Sequence, residues 1–136
     1  MKRFLKGKGI GRLSVEGEAL PSTCSISPDY IQRENGIYLE PGHELEGVPI
    51  KDKIIVCPSL KGSSVITHKL ALCGKKESAP KGFIFTKLNT ISVHSVLISK
   101  IPAVYGIDCD EIKKIMKGAF LKLNPLLGTV EVIPMD

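Results

Sequence analysis

Aromatic side chains are scarce in this 136-residue chain: four Phe, three Tyr and no Trp, only 5% in all. So few flat apolar faces count against a platform that stacks nucleic-acid bases and against an aromatic-lined sugar site. Long apolar runs are also missing. The longest, such as Ile54-Ile55-Val56-Cys57, fall far short of the ~20 residues that cross a bilayer, so no transmembrane helix is expected. The basic start Met1-Lys2-Arg3-Phe4-Leu5-Lys6 has neither an apolar segment nor a small-residue cleavage site behind it, which leaves a secretory signal unsupported. We expect a cytoplasmic protein with no membrane partner.

Closely spaced cysteines are absent too. Cys24, Cys57, Cys73 and Cys109 are separated by 33, 16 and 36 residues, unlike the close pairs of zinc ribbons, thioredoxin-like motifs or iron–sulfur sites. Cys57 ends an apolar run and Cys73 lies on an apolar helical face, so reduced, buried thiols are expected and no metal bound by this chain alone. His43, His68 and His94, 25 and 26 residues apart, read as solvated or hydrogen-bonded side chains; His43, in the turn-rich Pro41-Gly42-His43, is the candidate exception.

What remains is ordinary for a globular domain: 43% hydrophobic and 24% charged residues, enough to fold as one domain over residues 1–136. The formal charge of +5 is local. Lys2, Arg3, Lys6, Lys8 and Arg12 occur before the first acid, leaving 14 basic against 14 acidic residues in the rest of the chain. A basic first strand suits phosphates or an acidic partner, but lysines that protect a solvated edge strand explain it as well. No nucleic-acid partner is expected.

Thirteen glycines and nine prolines cut the chain into short segments rich in β-branched residues. Strands are expected near Phe4–Lys8, Arg12–Ala19, Ile37–Leu39, Lys53–Cys57, Gly82–Lys87, Ser95–Ile98, Ala103–Tyr105 and Thr129–Ile133. Asn35-Gly36 marks a hairpin turn. Ile66, Leu70 and Cys73 recur at helical spacing behind Ser63, a plausible N-cap, with Gly74 as the stop. A second helix is expected along Ile112, Ile115, Met116 and Ala119, with Asp108, Asp110 and Glu111 at its start and Lys113, Lys114 and Lys117 toward its end. The sum is an α/β domain: a mixed sheet, antiparallel at first and β-α-β in the middle, with two main helices.

Chemistry concentrates in Pro58-Ser59-Leu60-Lys61-Gly62-Ser63-Ser64. Gly62 permits a sharp turn, and the amides that open a helix suit a carboxylate or phosphate. Lys61 adds a charge, and Ser63 and Ser64 add hydroxyls. Simple helix capping explains the same residues. The nucleotide motif G-x-x-x-x-G-K-[ST] fails at Gly74-Lys75, where Lys69 replaces the first Gly, and no G-x-S-x-G elbow occurs.

Taken in order, Gly11-Arg12…Val15-x-Gly17-x-Ala19, Pro41-Gly42-His43-x-Leu45-x-Gly47, Val56-x-Pro58-Ser59-x-x-Gly62-Ser63-Ser64, Ala79-Pro80 and Ile101-Pro102-Ala103-Val104 resemble the swivel domain of the aconitase X family. The resemblance runs from about Lys6 to Val132. It implies a swivelling β/β/α fold and a hydro-lyase in which a large catalytic subunit carries a [4Fe–4S] cluster and this chain is the separate small subunit. It also implies that Ser63, matching the first Ser of the aconitase Gly-Ser-Ser-Arg motif, is the catalytic proton acceptor, with Lys61, Gly62 and Ser64 binding a small phosphorylated hydroxy acid. Val65 stands where aconitases carry Arg, so Lys61 or a partner arginine would replace that clamp. A related dehydratase acting on another hydroxy acid, such as a hydroxyproline, and a non-catalytic binding module are the alternatives.

Overall fold

The structure is a computed structural model that describes residues 2–62, 68–75 and 77–134. Among these residues eight strands form one sheet: β1 (Arg3–Lys6), β2 (Lys8–Ile10), β3 (Val15–Pro21), β4 (Ile54–Cys57), β5 (Gly82–Phe85), β6 (Ala103–Tyr105), β7 (Phe120–Asn124) and β8 (Thr129–Ile133). Their spatial order is β1-β8-β7-β3-β4-β5-β6-β2. The long strand β3 joins two halves, pairing antiparallel with β7 through Val15–Glu18 and parallel with β4 through Ala19–Pro21. Strands β4, β5 and β6 continue the parallel half.

The order begins and ends on one stretch of chain. β1 pairs with β8 and, one residue later, β2 pairs with β6, so the sheet closes on itself at Gly7. The Gly7 amide donates to the Gly128 carbonyl at 2.7 Å. A Cβ at Gly7 would collide with the Tyr105 carbonyl, which is why the corner requires glycine. The expected strand Phe4–Lys8 is therefore broken in two. Its charges serve locally: Lys2 pairs with Glu131, Arg3 with Glu111, and the Lys6 ammonium donates to the Leu127 carbonyl.

Alternation along the strands separates two cores. Ile54, Val56, Ile84 and Val104 face inward with Leu5, Leu121, Leu123, Val130 and Val132. Ile55, Cys57, Phe83, Phe85 and Ala103 face the other way, against Leu70 and Cys73 of helix α1 (Lys69–Lys75) and Val96 of helix α2 (Thr90–Ser99). The wholly apolar β4 and β5 are thus buried on both faces, as parallel central strands are.

Several expectations are corrected. Ser95–Ile98 is not a strand but part of α2, which turns Ser92, Ser95 and Val96 inward and leaves Leu97 and Ile98 exposed. The expected second helix shrinks to α3 (Cys109–Lys113); Gly118 has φ +90° and Phe120–Asn124 runs on as β7, a strand the sequence reading missed. Among the described residues the sheet carries three α-helices, the short α3 beside α1 and α2. Ile37–Leu39 makes only isolated bridges, although the turn forms as expected at Gly36, φ +72°. Gly74 lies inside α1 rather than ending it. The expected helix start at Ser63 and the residue Ile66 lie outside the described residues.

Candidate functional site

Buried β4 delivers the chain to Pro58 at the carboxyl ends of the parallel strands, the edge where sheets of this kind place their ligands. The loop that follows is fixed through its backbone. The carbonyls of Cys57 and Pro58 accept from the amides of Thr86 and Lys87, at 3.1 and 2.8 Å. The Ser59 carbonyl accepts from Ile26 at 3.1 Å, and the Lys61 amide donates to Ile26 at 2.9 Å. Leu60, fully buried, is held from the start of α2. Its amide donates to Ser92 Oγ (2.9 Å), and its carbonyl accepts from Asn89 Nδ2 (3.0 Å). Asn89 is also the N-cap of α2, its Oδ1 accepting from Ser92 N at 2.8 Å. Six backbone atoms between Cys57 and Lys61 are thus held by three neighbouring segments, which impose the loop's shape. It then turns at Gly62, whose φ of +129° strains any side chain.

Lys61 is placed with its ammonium on Glu40 Oε2. Glu40 also accepts from the Tyr38 hydroxyl at 2.7 Å, which in turn accepts from the Ser27 amide at 2.7 Å. Burial works against the Glu40 charge, but the hydrogen bonds from Lys61 and Tyr38 prevail and hold its carboxyl below the usual range. Burial drives the Tyr38 phenol far up, so it stays a neutral donor. Of the expected site residues the structure thus places Lys61 and Gly62 side by side; Ser63 and Ser64 lie outside the described residues.

Beside the loop a cleft of about 470 Å³ opens between Thr23, Glu44, Pro58, Thr86, Cys109 and Lys113. Glu44 organises one wall. Its Oε1 accepts from Ser22 Oγ (2.9 Å), Thr23 Oγ1 (2.7 Å), the Thr23 amide and the Cys24 amide (3.1 Å). The Thr23 hydroxyl outweighs desolvation and, with Ser22 and the two amides, pulls the carboxyl down to about 2. Sequence reasoning missed this residue; only the cluster of acids Glu40, Glu44 and Glu46 marked the segment.

His43, the candidate exception, is structural. Its Nδ1 accepts from the Leu45 amide at 3.0 Å, so Nε2 carries the proton and donates to the Ser25 carbonyl at 3.0 Å. Cys57 and Cys73 are buried and their thiols are pushed up by desolvation. Cys24 and Cys109, against expectation, are exposed. Among the described residues no three His, Cys, Asp or Glu side chains converge to hold a metal ion. No helix of the described residues is long and apolar enough to cross a membrane.

A mixed sheet that closes on itself, with helices packed on its parallel half and a fixed loop at the carboxyl ends, defines a swivelling β/β/α domain. The family model described as aconitase X swivel domain matches residues 4–132, and the chain belongs to that family. It is 35% identical over 130 residues to the phosphomevalonate dehydratase small subunit of Pyrococcus abyssi, covering 95% of this chain and 98% of that one. It is 33% identical over 129 residues to the protein of that name from Methanosarcina mazei, covering 94% and 90%. Its fold is similar to the crystal structure of Thermococcus kodakaraensis aconitase X in its holo-form, with TM-score 0.88 and 31% identity over 96% of this chain and 98% of that one.

Proposed function

We propose that this chain, acting as a single swivel domain, is the small subunit of a two-subunit dehydratase that converts (R)-5-phosphomevalonate to trans-anhydromevalonate 5-phosphate in isoprenoid biosynthesis. The observation that carries the reading is the backbone-fixed loop ending at Lys61-Gly62, in a chain that aligns nearly end to end with small subunits of that name. In this reading Ser63 accepts the proton, Lys61, Gly62 and Ser64 contact the substrate, and the [4Fe–4S] cluster belongs to the large partner subunit.

A serine hydroxyl is a weak base in water, so the alkoxide needs donors and a cation close by. Lys61 supplies the cation. It is half exposed and paired with Glu40, which keeps the Tyr38 hydroxyl as a donor when the ammonium turns toward an anionic substrate. The fixed loop makes the opposite contribution: it holds backbone and charge in place before substrate arrives, so no ordering cost falls on the reaction.

The test is the chain reconstituted with its large subunit and assayed for water loss from 5-phosphomevalonate. Ser63→Ala is expected to lower kcat by ~10²–10⁴-fold without loss of assembly. Retention of more than about a tenth of kcat, a change under ~1.4 kcal/mol, removes Ser63 from the proton transfer. Activity on a hydroxyproline but none on 5-phosphomevalonate would move the assignment to the related dehydratase.

A further inference from the structure

The turns over residues 41–47 are built around Tyr38. The Tyr38 amide donates to the Val48 carbonyl at 3.0 Å, its carbonyl accepts from the Gly47 amide at 2.6 Å, and the His43 ring packs edge-on against its ring, centroids 4.9 Å apart. Tyr38 is fully buried. Its hydroxyl is fixed between the Ser27 amide and Glu40 Oε1, 2.7 Å from each. Glu40 stands directly before these turns, so the fold sets one of its carboxylate oxygens, and the other, Oε2, meets the Lys61 ammonium. Among the described residues Glu40 is the least exposed acid in an ion pair, its side chain 17% accessible, and the one that also accepts from a buried side chain. The other acids in such pairs, Glu16, Glu18, Asp29, Glu111 and Glu131, meet only lysine or arginine there.

We propose that Glu40 is the positioning residue for Lys61: anchored by the Tyr38 hydroxyl, it fixes where the ammonium sits before an anionic substrate arrives. The proposal rests on the reading above in which Lys61 contacts the substrate. A lysine stem is flexible and its ammonium is a point charge, so without a fixed carboxylate the cation is ordered anew at each encounter. An ammonium carries three N–H donors and can keep Glu40 while it takes up an anion. Burial opposes the Glu40 charge, yet the bonds from Lys61 and Tyr38 hold the carboxyl below its usual range, so the anchor stays ionised. In this arrangement Glu40 acts through Lys61, not on the substrate. The turns over residues 41–47 thereby gain a part in the site: His43 packs Tyr38, Tyr38 fixes Glu40, and Glu40 places Lys61.

The experiment is a double-mutant cycle on the chain reconstituted with the large aconitase X subunit, with 5-phosphomevalonate as substrate. Lys61→Ala is expected to lower kcat/KM about a hundredfold. Glu40→Gln keeps the shape of the side chain and an oxygen for Tyr38 but not the charge, and is expected to lower kcat/KM about tenfold. In the Lys61→Ala background the same substitution changes kcat/KM by less than about twofold, because no ammonium is left to place. Glu40→Asp, which keeps the charge but is one methylene short, is taken through the same cycle and shows a smaller loss with the same dependence on Lys61. Melting of each free variant verifies the fold. If the wild-type complex leaves 5-phosphomevalonate unchanged, or Lys61→Ala retains wild-type kcat/KM, the functional reading fails and the proposal with it. If Lys61→Ala loses activity while Glu40→Gln and Glu40→Asp both keep theirs, only the positioning role is overturned. A Glu40 loss that is as large without Lys61 as with it makes the carboxylate merely structural and overturns that role as well.

Discussion

Asn89 ties the helix to the loop with one side chain, and replacing it separates the two roles. Its Oδ1 accepts from the Ser92 amide at 2.8 Å and from the Ser92 hydroxyl at 2.7 Å, while its Nδ2 donates to the Leu60 carbonyl at 3.0 Å. Asn89→Ala removes an N-cap, worth ~0.5–2 kcal/mol, and a hydrogen bond to Leu60, worth ~0.5–1.5 kcal/mol. It also strips the acceptor from Ser92, which is fully buried, and an orphaned buried hydroxyl costs about 1 kcal/mol more. The total is about 2–4 kcal/mol, a fall in Tm of roughly 8–16 °C for a domain of this size. Asn89→Asp keeps the acceptor and suits a helix start, but it turns a carboxylate on the Leu60 carbonyl. We expect it to lose less than half as much Tm as the alanine variant, yet to lower kcat of the assembled enzyme about tenfold or more, because the loop shifts. Scanning calorimetry and steady-state assays on the complex give both quantities. An alanine variant that melts within about 3 °C of wild type, or an aspartate variant with wild-type kcat, refutes the clamp.

Two further outcomes follow from the cleft and the thiols. Glu44 has a depressed folded-state pKa, about 2, so its contribution is fully present above its unfolded value near ~4.3 and is lost as pH falls through 2; discounted for exposure, Glu44→Gln should cost about 1 kcal/mol at neutral pH. Urea unfolding of both proteins should show that difference shrinking from about pH 4 downward, and a difference independent of pH refutes the role. A thiol reagent in excess at neutral pH should label Cys24 and Cys109 rapidly, and Cys57 and Cys73 only on unfolding; mass spectrometry showing four fast adducts contradicts the packing.

The parallel core was legible from short, wholly apolar runs: Ile54–Cys57 and Gly82–Phe85 are both strands, although Val96-Leu97-Ile98, read by the same mark, lies in α2. α2 was not legible, because its apolar residues do not follow its buried face. Small Ser92 and Ser95 pack inward while Leu97 and Ile98 point to solvent, so periodicity misleads and β-branched Ile91, Val93 and Val96 suggest a strand. Of the stripe Ile112, Ile115, Met116 and Ala119, Met116 is exposed and the other three are buried. Its helical spacing nonetheless ends at Lys113, and Leu121 and Leu123 already alternate with Phe120 and Lys122 as β7. Lys61 and Gly62 were singled out because a charge and a glycine just after a strand are local signals. Glu44 and Leu60's tie to Asn89 depend on residues distant in sequence, and nothing adjacent announces those partners.

The closure at Gly7 makes the first strand the last to be satisfied. β1 lies opposite β8, Arg3 facing Val132, so β1 has no partner on that side until β8, far along the chain, has been made. Long-range closures of this kind are slow, and an unpaired strand is an invitation to other chains. Lys2, Arg3, Lys6 and Lys8 make that waiting segment strongly cationic. Like charges keep such a segment from pairing with its copies, and Lys2, Arg3 and Lys6 then reach Glu131, Glu111 and the Leu127 carbonyl once the ring shuts.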